Sequence, residues 1–100
     1  MMRLCHSHGL PMPRFQYVIR RGKVFVAKVD FAYPEIKLAI EVDGYETHSS
    51  LDAFQHDRSR QNDLVELGWT VLRFTWDDVV HRPEAVASRI RRVLGAGMRA

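Results

Sequence analysis

The sequence predicts an α/β fold, a mixed β-sheet flanked by helices in the order β-β-β-α-β-α. Three features carry that expectation. The first half is made of short apolar runs of strand length separated by turn residues. The second half holds two stretches of helical periodicity, and one strand-like run lies between them. A strand, a helix and a second strand in succession form a parallel pair joined by a right-handed crossover. One hundred residues suit a single domain, 1–100, with one sheet and one core.

Each element follows from local chemistry. Residues 1–14 read as an irregular basic segment, because Pro11 and Pro13 fit neither a helix interior nor a central strand. Phe15–Arg20 and Val24–Phe31 then form a hairpin around Arg21-Gly22-Lys23. Ala32–Glu35 is a second turn stiffened by Pro34. Leu38–Asp43 is the third strand, closed by Asp43-Gly44. The run from Ser49 to Leu67 reads as a helix, capped by Ser49 or Ser50 and stopped by Gly68, with Leu51, Phe54, Leu64, Val65 and Leu67 as its apolar positions. Thr70–Trp76 is the fourth strand. Pro83 and Glu84 suit the first turn of a closing helix, whose Val86, Ile90, Val93 and Leu94 form the stripe that packs on the sheet.

Bulk chemistry narrows the function classes. No apolar run approaches the ~20 residues of a membrane helix, and the first ten residues lack the apolar stretch of a signal peptide. Cys5 is the single cysteine, so there is no internal disulfide. The expectation is a cytoplasmic protein with no membrane partner. The net charge of +3 is unevenly spread: Arg3, Arg14, Arg20, Arg21, Lys23 and Lys28 lie in residues 1–29, where there is no acid, and all 12 acids lie from Asp30 onward. A basic part beside an acidic centre suits a polyanion held by one and a cation held by the other. A basic terminal segment that is merely solvated is the alternative.

The acids interrupt strands. Alternation places Leu38, Ile40 and Val42 on one face of the third strand and Ala39, Glu41 and Asp43 on the other. In the second strand Phe25, Ala27, Val29 and Phe31 share a face, opposite Val24, Val26, Lys28 and Asp30. If these strands pair through the Pro34 turn, Asp30, Glu41 and Asp43 converge. Three adjacent carboxylates repel unless a cation lies between them, and Mg²⁺ accepts one or two carboxylates together with water and phosphate oxygen. Singly, each acid has a plainer explanation: Asp43 as a turn residue in Asp-Gly, Glu41 on a solvated face, Asp30 paired with Lys28 or an arginine. The joint pattern is what points to a metal site for phosphodiester chemistry. Relief of that repulsion would leave Glu41→Ala as stable as the parent, or slightly more so.

The run "VDF" ending the second strand, then "IEVDGYETH", then Asp57, Arg60, Leu64, Gly68, Trp69 and Arg73 in the pattern "D..R...L...GW.VLRF" resembles the PD-(D/E)XK nuclease superfamily. More closely it resembles restriction-endonuclease-like domains related to the very short patch repair endonucleases, from about Val24 to Leu94. The resemblance implies hydrolysis of DNA dependent on Mg²⁺ or Mn²⁺, with Asp30 and Glu41 as metal ligands. Asp43 stands where many members carry lysine and is read as a third ligand. Lys28, two residues from Asp30, is available as the missing cation. His48 matches a histidine of the repair endonucleases and is read as a base, an acid or an outer-sphere ligand, with a polar loop residue as the alternative. Those enzymes carry a structural zinc site, whereas this chain has Cys5 alone, in a "CHSH" run that reads as a frayed end with metal binding as the alternative, and no acid precedes Asp30 to match the glutamate on the N-terminal helix of related domains.

DNA contacts are expected from Arg20, Arg21 and Lys23, and from Arg60 and Arg73. Asp57, Arg60 and Gln61 break the apolar stripe of their helix, so Arg60 is read as bridging Asp57 and a phosphate, or as part of a solvated face. Arg73 has opposite parity to Leu72 and Phe74 and is either a phosphate contact or a surface arginine. Trp69 and Trp76 read as packing residues. The function expected is a metal-dependent DNA endonuclease, nicking as a monomer or cutting both strands as a homodimer. The rivals are a catalytically impaired DNA-binding module of the same fold and a defence or toxin–antitoxin component that relies on a partner protein.

Overall fold

The computed structural model describes residues 1–44 and 51–98. A short helix α1 (Met2–Ser7) precedes the hairpin strands β1 (Arg14–Arg21) and β2 (Val24–Tyr33). A 3-10 turn at Pro34–Ile36 leads to β3 (Leu38–Asp43). Helix α2 (Leu51–Glu66), strand β4 (Thr70–Thr75), α3 (Trp76–His81) and α4 (Pro83–Met98) follow. The strands form one mixed sheet in the order β1-β2-β3-β4. β1 with β2 and β2 with β3 are antiparallel; β3 with β4 is parallel, as the crossover through α2 requires.

The β1–β2 turn is tight because Gly22 takes a left-handed φ of 60°, which lets two residues, Gly22 and Lys23, reverse the chain. Gly68, at φ 86°, does the same for the end of α2, where Gly68 and Trp69 donate to Val65 O and Leu64 O. Lys37, itself at φ 53°, donates from Nζ to Leu67 O, while its carbonyl accepts from Thr70 N. One residue thus ties the start of β3 to the end of α2 and the start of β4.

The sheet has a core on each face. On one, Phe31, Tyr33, Leu38 and Ile40 meet Leu4 and Cys5 of α1 and Val86, Ala87, Ile90 and Leu94 of α4. On the other, Val29, Ala32 and Ala39 meet Leu64 of α2, with Leu67, Trp69 and Val71 beside them. The stripe expected on the closing helix is therefore present. On α2 Leu64 is fully buried, whereas Leu51 and Val65 are exposed; the side chain of Phe54 lies outside the described residues.

Four local expectations are corrected. Residues 1–14 are not irregular throughout, because α1 forms and buries Leu4 and Cys5. A six-residue helix has no stability of its own, so docking on α4 rather than local propensity makes it. Trp76 does not end β4; it begins α3, where Thr75 and Asp78 form a reciprocal capping box, Thr75 Oγ1 accepting from Asp78 N and Asp78 Oδ2 from Thr75 N, each at 3.0 Å. Trp76 is exposed, not a packing residue, whereas Trp69 packs against Tyr17 with ring centroids 5.9 Å apart. Phe25, Ala27, Val29 and Phe31 do not share a face: Ala27 and Val29 join the α2 side, Phe31 the α4 side, and Phe25 is exposed. The alternation breaks at Asp30, opposite which β1 bends through Gln16 at φ 53°.

Candidate functional site

β2 and β3 pair only from Phe31↔Ile40 to Tyr33↔Leu38, then separate. Asp30 and Glu41 are each the first residue beyond that ladder, on adjacent strands. Backbone groups at such a fork need partners, and side chains provide them. Asp30 Oδ2 accepts from Val42 N at 2.9 Å. From α2, Arg60 Nη2 donates to Lys28 O at 3.2 Å and Arg60 Nη1 to Glu41 Oε1 at 2.6 Å. One guanidinium therefore spans the gap between the diverging strands.

A second arginine adjoins it. Arg73 is the cross-strand neighbour of Glu41 on β4, with Nη2 4.0 Å from Glu41 Oε1. It also holds Asp57 of α2 through two bonds, 3.0 and 2.7 Å. This bidentate contact holds the Asp57 carboxyl below the ordinary carboxylate range and raises the Arg73 guanidinium above its own. A groove of about 470 Å³ beside Arg73 is lined by Asp57, Arg58, Gln61, Asn62 and Val71.

The residues singled out in the sequence fall into three groups. Asp30, Glu41, Arg60 and Arg73 come together at the fork, with the backbone of Lys28. Asp43 ends β3 in an exposed position, paired in register with Thr75. Arg20, Arg21 and Lys23 lie at the far end of the hairpin, about 13 Å along the strand from Lys28 at ~3.3 Å per residue. There Arg21 binds Glu66 at 3.1 Å. His48 lies outside the described residues. The expectation pairs Arg60 with Asp57 and leaves Arg73 to a phosphate or the surface; instead Arg73 holds Asp57, and Arg60 holds Glu41. Helical spacing drew attention to Arg60 beside Asp57, but the Asp57–Arg73 bond joins residues 16 apart and had no local signal.

Among the described residues, no group of three or more His, Cys, Asp or Glu stands close enough to hold a metal ion. Asp30, Glu41 and Asp43 therefore do not converge as a triad. A hard divalent ion needs only one or two carboxylates, and Asp30 and Glu41 offer that chemistry. Among the described residues their hydrogen bonds engage Oδ2 of Asp30 and Oε1 of Glu41, and leave the other oxygen of each outside them. The donor set fits such an ion, with Arg60 already in contact with Glu41.

A family model, REase_MTES_1575, matches residues 16–94, from β1 to α4 and across the whole fork. The chain belongs to this restriction-endonuclease-like family. Two uncharacterized proteins of Mycobacterium tuberculosis, MT2308 and Rv2248, are 40% identical to this REase_MTES_1575 member over 88 residues, covering 88% of this chain and 32% of theirs. An uncharacterized protein of Haemophilus influenzae is 42% identical over 62 residues, 62% of this chain and 50% of its own. The chain thus spans about a third of the length of the mycobacterial relatives. No solved structure matches it. Among the described residues no helix is long and apolar enough to cross a membrane.

Proposed function

We propose that this chain is a DNA endonuclease module that hydrolyses phosphodiester bonds with the help of Mg²⁺ or Mn²⁺, within the PD-(D/E)XK superfamily and close to the very short patch repair endonucleases. The observation that carries the reading is the meeting of Asp30 and Glu41 at the fork of β2 and β3, flanked by Arg60 and Arg73. Asp30 and Glu41 would hold the ion. When bound, it would acidify a water and offset charge on the phosphoryl oxygens. Arg60 and Arg73 would orient a phosphate, since a guanidinium presents parallel donors to its oxygens. Lys28 and His48 are assigned to proton movement. A cytoplasmic location fits the single reduced cysteine, Cys5.

Plasmid cleavage in Mg²⁺ and in Mn²⁺ tests this reading, wild type against Glu41→Ala. Nicking is expected, faster in Mn²⁺, whose bound water ionises more readily, and absent from Glu41→Ala. Equal cleavage by the two proteins would remove Glu41 from the chemistry.

Two observations favour a second reading, a DNA-binding module without hydrolysis. Asp43 occupies the position of the superfamily lysine, and the described residues form no three-ligand cluster. Salt-sensitive DNA binding with no cleavage in either metal would select it.

A further inference from the structure

Arg60 is a cation that the fork already holds. Its guanidinium contacts Glu41 at 2.6 Å and bridges to the Lys28 carbonyl at 3.2 Å. The two side chains are 18% and 13% exposed, so water screens their attraction only in part. Arg73 also approaches Glu41, but Asp57 neutralises it through two hydrogen bonds. Among the described residues Glu41 is the one carboxylate within ion-pair distance of Arg60.

A divalent ion held by Glu41 would lie within a few ångströms of this guanidinium. Like charges that close repel strongly in a shielded site. The two can share the carboxylate, one oxygen each, but the nearby positive charge weakens the ion's binding until another anion takes the arginine. A DNA phosphate is such an anion, since its two non-bridging oxygens can accept parallel guanidinium N–H groups as a carboxylate does. We propose, resting on the metal-dependent reading of this site, that Arg60 makes metal binding depend on substrate. Without DNA, Arg60 competes with the ion for Glu41 and keeps its affinity low. With a phosphate at the fork, Arg60 transfers to it and releases Glu41. Metal and DNA then tighten one another by linkage, each by the same factor.

Mn²⁺ binding by the 100-residue chain, followed through loss of the free-ion paramagnetic resonance signal, tests this without reading catalysis. In wild type, a short DNA duplex is expected to tighten Mn²⁺ about tenfold or more. R60Q is expected to bind Mn²⁺ without DNA as tightly as wild type does with it, and to respond little to the duplex. R60K keeps the charge and is expected to stay near wild type. Circular dichroism checks the fold of each variant, and R60M replaces R60Q if the glutamine variant does not fold. Mn²⁺ binding that E41Q removes and that is the same with and without duplex overturns the coupling and leaves the metal reading intact; this comparison needs no Arg60 variant. R60Q binding no tighter than wild type overturns it likewise. No Mn²⁺ binding that E41Q removes, in wild type or R60Q, with or without duplex, overturns the metal reading and the coupling with it.

Discussion

Asp57 and Arg73 form the most complete ion pair of the site, with two parallel bonds between a helix and a strand. Because the folded pKa of Asp57 is depressed, the pair stabilises the fold above the unfolded carboxylate range and loses that effect as pH falls through the folded value. Asp57 is half exposed, so solvent screening holds its contribution below about 1 kcal/mol. Asp57→Asn should therefore be slightly less stable than wild type at neutral pH, with the gap closing on acidification, as urea unfolding across the acid range would measure. Glu41 is more shielded. The sequence led to the expectation that its removal would relieve repulsion. The structure gives it Arg60 as a partner, so Glu41→Ala strands a partly buried guanidinium and should cost about 2 kcal/mol. A metal-free melt of Glu41→Ala at or above the wild-type midpoint would show that repulsion dominates after all.

Two elements were decided by docking and by capping respectively. Helix α1 places Leu4 and Cys5 against α4, and Cys5 Sγ lies 3.8 Å from the Tyr33 hydroxyl, which donates to Pro11 O at 2.7 Å. Leu4→Ala should cost about 2–3 kcal/mol, the lower part of the range for truncating a buried leucine, and expose the α1 amides to hydrogen exchange before those of β3. Burial also pushes the Cys5 thiol up, away from the reactive thiolate. Labelling of Cys5 by a thiol reagent should follow unfolding of the α1 region as denaturant rises; fast labelling of the native protein would mean that α1 is undocked. Helix α3, by contrast, is held at its start by local chemistry, the Thr75–Asp78 capping box.

At the scale of the whole molecule the basic residues expected to contact DNA divide into two sites. Arg60 and Arg73 belong to the fork, whereas Arg20 and Lys23 are exposed at the hairpin end. Arg21 is occupied by Glu66, and Arg91 donates to His8 O at 2.9 Å. If the hairpin holds the DNA backbone, neutralising Arg20 and Lys23 together should flatten the dependence of log K on log salt by about 2, since each phosphate that a cation neutralises contributes about 0.9 to the slope. An unchanged slope in a filter-binding titration would move the DNA surface to Arg89 and Arg92 on α4.

The sequence by itself determined the strands, the parallel crossover, the α4 stripe and the prominence of Asp30, Glu41, Arg60 and Arg73. These are local signals: alternation, helical spacing, a glycine after a helix and acids placed in apolar runs. Tertiary structure alone decided the pairings among those residues. Strand parity assumed that β2 stays flat through Asp30, but the strands part there, and the Asp30 carboxylate turns to Val42 N. Which arginine meets which acid depends on where α2 crosses the sheet, and that is set by Leu64 packing in the core. Helix α1 likewise exists because α4 offers Leu4 and Cys5 a surface on which to be buried.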